Sequence, residues 1–223
     1  MIVPKVNNHA DGSSPFLNVK QMLPLPPETP WGNLGLKSMK IVQRIDHINK
    51  KIEHVYLSFQ TMHRQQGVPY DVSSLEMEEL IYWIRKTVDE FIQLLYVAEH
   101  FYRNGVYPKR IKIHSIGVLL EDPQSRLYRM FDGHHPKLQQ LNEVGNAYKH
   151  SFICSDLNFV GRDEPVVFTL SAGWNDLAKP VQFTSIRLAD FVRHFDELYQ
   201  FTRQQCLTLF GLNRSATPPE SLN

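Results

Sequence analysis

Asn142, Asn146 and His150 stand four residues apart in the stretch Asn142-Glu143-Val144-Gly145-Asn146-Ala147-Tyr148-Lys149-His150-Ser151. Around them Leu138, Leu141, Tyr148 and Phe152 recur at helical spacing, so the segment is expected to form one short amphipathic helix. Fourfold spacing puts two amides and an imidazole on a single stripe, flanked by Glu143 and Lys149. Such a stripe is either solvated or lines a polar cleft. In a cleft, Asn142, Asn146, Lys149 and His150 become ligand-binding residues. A purely structural role stands beside that reading: His150 and Lys149 suit a helix C-terminus through its dipole, and both asparagines could bond to the segment that follows.

The elements that must hold this helix can be read from apolar spacing. Residues 1–36 carry Pro24, Pro26, Pro27 and Pro30 and read as an extended, proline-rich arm. Phe16, Leu17, Met22, Leu23, Leu25 and Trp31 suggest that the arm packs along the body. From Lys37 to about Gln66, Ile41, Ile45, Ile48, Ile52, Val55, Phe59 and Met62 follow alternating steps of four and three, and Gly67-Val68-Pro69 ends that helix. Ser73 with Glu76 forms a capping-box signature for a second helix, which runs to about Tyr102 on Met77, Ile81, Ile84, Val88, Phe91, Leu95 and Ala98. The first helix is mostly basic and the second mostly acidic. A short connection and opposite charge bias predict a long antiparallel hairpin.

Further along, Ser115 is placed to cap a short helix through Leu120, another turn spans Leu127 to Phe131, and Pro136 suits the first turn of the polar helix. The β-like stretch lies at about 155–185. Leu157–Val160 and Val166–Ser171 read as a hairpin around Gly161–Glu164, with Val181–Thr184 as a third strand. A last helix from about Ser185 to Phe210 turns Leu188, Phe191, Phe195, Leu198, Cys206 and Leu209 inward. The fold class is therefore mainly α: an up-and-down helical bundle over residues 37–212, with a small β-hairpin or three-stranded insertion and a flexible tail at 213–223.

Bulk properties narrow the function. A length of 223 residues fits one domain, and a net charge of +1 argues against nucleic-acid binding through bulk electrostatics, leaving only a local basic patch. No run of about 18 apolar residues occurs, so no membrane partner is expected. Pro4, Asn7, Asn8, His9 and Asp11 break up any signal-peptide core, which makes the cytoplasm the default location. Cys154 and Cys206 read as buried thiols, and without CxxC or HExxH no metal and no cofactor is expected. His134-His135 beside Asp132 reads as a helix start. Lys109, Arg110 and Lys112, with Tyr107 and His114, form the densest basic cluster and read as a solvated loop. His47 and His54 lie on a basic face that suits solvent or an acidic neighbouring helix.

Two long helices, a short one carrying Asn146-x-x-x-His150 and a final helix resemble the HEPN superfamily of helical bundles. The resemblance covers the helical parts, about two-thirds of the chain. Its signature is an arginine, a polar residue, three arbitrary residues and a histidine, and many members are metal-independent ribonucleases that work as dimers with both motifs in a shared cleft. Asn146 matches the polar position and His150 the histidine, which would move protons at the ribose hydroxyl or leaving oxygen. The arginine position falls on Gly145, and longer spacings give Val144 or Glu143. None can supply the fixed positive charge that a scissile phosphate requires.

The resemblance thus implies a homodimeric module in an RNA-linked stress or defence system, with a degenerate motif that binds RNA, a nucleotide or a protein without cleaving. Two other readings stay open. One is a metal-independent ribonuclease using His150 with an arginine from elsewhere in the dimer, for which Arg110, Arg126 and Arg129 are the nearest in sequence. The other is a scaffold in which the polar stripe only locks the bundle together.

Overall fold

The computed structural model describes residues 2–7, 23–26, 28–64, 71–150, 163–171, 178 and 180–210, without the side chains of 62–64, 71–74, 150 and 171. Two long helices, α1 (Leu34–Arg64) and α2 (Asp71–Asn104), form its spine. Every described apolar residue of the two expected seams is buried, from Ile41 to Phe59 on α1 and from Met77 to Ala98 on α2. Charge pairs fix the direction: Lys37 and Arg44 meet Glu90, Lys51 and His47 meet Glu79, and His54 meets Glu76. Numbers rise along α1 as they fall along α2, so the pair is antiparallel. His47 and His54 therefore face an acidic helix rather than a ligand. Arg44 also lies 5.5 Å from the centroid of the Trp83 ring, a cation–π contact that covers the outer side of the pair.

Helix α2 is the hub. Its far side packs on α6 (Leu188–Leu209), where Phe91 stacks on Phe195 and Tyr199 with ring centroids 6.1 and 5.7 Å apart. Another stripe of α2 carries α5 (His135–His150) and two short helices, α3 (Ile116–Leu120) and α4 (Arg126–Met130). Ser115 caps α3 by accepting from the Val118 amide, as its position implied, and Ser125 caps α4 by accepting from Tyr128. The turn into α5 needs Gly133, whose φ of 78° is one that side-chain-bearing residues rarely adopt. His135 then stacks on Tyr128 and shares a hydrogen bond with its carbonyl oxygen, while His134 packs on Phe201.

The N-terminal arm is held down where it is described. The Asn49 amide pairs with both the N–H and C=O of Val6, whose side chain is fully buried, and Ser38 donates to the carbonyl of Leu23. Four sequence expectations change. Helix α1 starts at Leu34, inside the 1–36 stretch expected as an extended arm. Helix α2 starts at Asp71, so Ser73 falls inside its first turn rather than before it. Strand β1 (Val166–Ser171) pairs antiparallel with β2 (Gln182–Arg187), in register Val166 with Arg187; the segment expected as a third strand is its direct partner. That strand continues to Arg187, so α6 begins at Leu188 rather than Ser185. Leu157–Val160, Cys154, the Gly67-Val68-Pro69 stop and the tail lie outside the described residues. Cys206 is a buried free thiol, pushed up to about 12 by desolvation.

Candidate functional site

Inward seams leave each helix a second face, and on α2 that face carries Arg85, Asp89 and Gln93 at fourfold spacing. Helix α5 lies against it because Leu138, Leu141 and Val144 are buried and Gly145 has no side chain to hold the helices apart. Across that gap runs the side chain of Arg85. A Cβ built on Gly145 would stand 3.1 Å from Arg85 Cγ and 3.3 Å from its Nη1, closer than such contacts ordinarily come. The Arg85 guanidinium donates through Nη1 to Asn146 Oδ1 at 3.2 Å and to the backbone carbonyl of Asn142 at 3.4 Å. Its Nε donates to Asp89 at 3.3 Å, and the same carboxylate oxygen accepts the Ile116 amide at 2.8 Å, tying α3 to α2. Nη2 makes no hydrogen bond among the described residues.

The junction opens into a cleft of about 550 Å³. Helix α2 contributes Arg85, Lys86 and Gln93, α5 contributes Asn146 and Lys149, and His114 also lines it. Glu90 sits at its edge. Burial raises the carboxyl's pKa, but hydrogen bonds and charge from Lys37 and Arg44 outweigh this and hold it below its ordinary value. Glu90 is therefore ionised and already matched by two cations. The groups left facing the cleft are the Arg85 guanidinium, the Lys86 and Lys149 ammoniums, the Gln93 and Asn146 amides, the Ser115 hydroxyl and one carboxylate, Glu78, which the two ammoniums outnumber. They can hold an anion, and a fixed arginine suits a phosphate in particular.

The site brings together part of what the sequence singled out. Asn146 and Lys149 line the cleft, whereas Asn142 turns its amide oxygen toward Gly117 on α3, where it is buried with no hydrogen-bond partner among the described residues. Glu143 accepts from Gln139 on the exposed side of α5. His150 is the last residue of α5, and its side chain lies outside the described ones. Of the arginines nearest in sequence, none lines the cleft: Arg129 donates back to the Gln124 carbonyl, and Arg110 and Arg126 are exposed. The arginine that meets the motif is Arg85, 61 positions before Asn146, which the sequence offered only as one charge on a helix. Its spacing with Asp89 and Gln93 was the available signal.

Among the described residues no group of three His, Cys, Asp or Glu side chains gathers as metal ligands would, and no helix is long and apolar enough to cross a membrane. The chain matches no family model, no curated protein and no solved structure.

Proposed function

We propose that the protein is a non-catalytic, HEPN-like binding module that takes a phosphate-bearing ligand, a nucleotide or RNA, in the α2–α5 cleft. It works as a homodimer in an RNA-linked stress or defence system. The observation that supports this reading is the Arg85 guanidinium laid over Gly145 onto Asn146 at the cleft wall. It restores a positive charge beside the motif, but a constrained one. Asp89 neutralises much of it and Asn146 occupies Nη1, leaving Nη2 to meet a phosphate. A held cation of this kind favours binding. Catalysis requires the charge to be aimed where negative charge develops, and losing one such donor costs about a hundredfold or more in rate.

The test uses labelled single-stranded and hairpin RNA without metal. Wild type is expected to bind and leave the strand intact, with Arg85→Ala weakening binding about tenfold, the scale of one charge-assisted hydrogen bond. A ribonuclease is the second reading, favoured by the same arginine, since Asn146 lies one helical turn before His150. Cleavage by wild type that disappears in His150→Ala would establish it and overturn the binding module. Binding by neither wild type nor variant would leave Arg85 as a strut between helices, which is the scaffold reading.

A further inference from the structure

Beside the cleft lies a second chamber of about 330 Å³, and Lys37, Glu90 and Gln93 line both. Its other walls are Asn33 and the apolar Leu34, Leu94, Val97, Ile111 and the ring of Trp31. Trp31 is 51% exposed, a large aromatic face presented to solvent rather than to the core. It is nonetheless fixed in place. The turn before α1 is closed by Gly32 N–H to Thr29 O at 3.1 Å and by the Thr29 hydroxyl donating to Gly32 O at 2.6 Å. Gly32 holds φ at 96°, a value favouring glycine, and the Trp31 ring rests edge-on against Tyr107, 5.1 Å between centroids. Tyr107 in turn stacks on Phe101 of α2 at 4.4 Å.

The basic loop that the sequence offered as solvated adjoins both cavities. Ile111 lines the chamber and His114 the cleft, and Gln93 Nε2 donates to the His114 carbonyl at 2.9 Å, holding the loop to α2. Lys109, Arg110 and Lys112 are exposed on the same loop. A held aromatic face therefore opens beside a groove in which Lys37, Arg85, Lys86 and Lys149 outnumber the carboxylates Glu78, Asp89 and Glu90. Arg85 in the cleft and Val97 in the chamber stand twelve residues apart on α2, about 18 Å at 1.5 Å per residue. At about 3.4 Å per stacked nucleotide, that length corresponds to about five steps of a strand. Stacking platforms set along a positive groove are how single strands are held without sequence readout.

Resting on the anion reading of the α2–α5 cleft, we infer that the Trp31 chamber is a base subsite: a short single strand of nucleic acid lays its backbone over Arg85, Lys86 and Lys149 and seats an unpaired base against Trp31. The experiment compares a labelled RNA octamer with an abasic strand carrying the same phosphates, using wild type, Trp31→Ala, Trp31→Phe and Arg85→Ala. Circular dichroism and melting first verify that each variant is folded. Trp31→Ala is expected to weaken the octamer about tenfold and leave the abasic strand unchanged. Trp31→Phe should retain octamer affinity, while Arg85→Ala should weaken both ligands. If Trp31→Ala changes neither ligand, or both equally, the base subsite is overturned while the cleft reading stands. If Arg85→Ala changes neither, the cleft reading itself falls. An acidic peptide that displaces the octamer from wild type and from Trp31→Ala equally well would also overturn the subsite, since charge alone would then explain the groove.

Discussion

Gly145 determines where Arg85 can lie, and so what the cleft presents. In the sequence Gly145 falls near the line of Leu138, Leu141 and Tyr148, where a missing side chain lets a neighbour approach closely. Which neighbour was not legible. A side chain 61 residues away leaves no trace in local periodicity, and Arg85 sits in a helix whose seam accounts for its position without it. Gly145→Ala is a sharp probe of the arrangement. The added methyl would meet Arg85 Cγ at 3.1 Å and Nη1 at 3.3 Å, so the arginine must swing away from Asn146. The helix meanwhile gains about 1 kcal/mol from replacing glycine by alanine, which offsets much of the crowding. Melting temperature should therefore shift little while RNA affinity drops about as far as in Arg85→Ala. Unchanged affinity would mean that Arg85 reaches its ligand independently of Gly145.

At the scale of elements, the long helices were legible because an apolar residue every three or four positions admits one packing; strands at Val166–Ser171 and Val181–Thr184 were legible too, but their direct pairing was not. The short loop Gly161–Glu164 pointed to Leu157–Val160 as the hairpin partner of Val166–Ser171, with Val181–Thr184 as a third strand; β2 is the observed partner, where Leu188 N–H donates to Pro165 O and ties the start of α6 to the residue before β1. The α5–α6 contact was likewise hidden, since it joins polar residues far apart in the chain. His194 Nδ1 lies 2.9 Å from Gln140 Oε1 and Lys137 pairs with Glu197, while His134, just before α5, packs on Phe201. Burial holds both imidazoles below the ordinary 6.5; Lys137 adds to this at His134 and Arg193 at His194, while Glu197 opposes it at each. Because the folded pKa values are depressed, the unfolded chain binds these protons first. Their contribution is complete above about pH 6.5 and is lost as pH falls toward the folded values. Melting temperature should decline from pH 7.5 to 5.5, and the paired change His134→Leu with His194→Gln should flatten that decline. An equally steep profile in the double variant would place the acid sensitivity elsewhere.

For the whole molecule, the proposed homodimer has a surface to use. Leu75 and Tyr82 stand seven residues apart on one side of α2 and are 63% and 55% exposed, with Glu78 between them and Arg85 one turn beyond. Tyr82, Glu78 and Arg85 all line the cleft, so this partly apolar strip is its lip. Two copies related by a twofold axis would cover each other's strip and bring two clefts face to face, with each α5 C-terminus near the axis. A stable interface of this sort buries about 1,200 Å² or more in total, which the strip alone does not supply, so neighbouring surfaces of α2 and α5 must join it. Light scattering at micromolar concentration should give twice the 26.0 kDa of the chain. A Leu75→Glu, Tyr82→Glu variant should return it to one copy, because two carboxylates facing their symmetry mates repel in a dry interface. A monomeric wild type removes the dimer from the proposal. A variant that stays dimeric would move the twofold axis away from α2 and leave the cleft open to solvent.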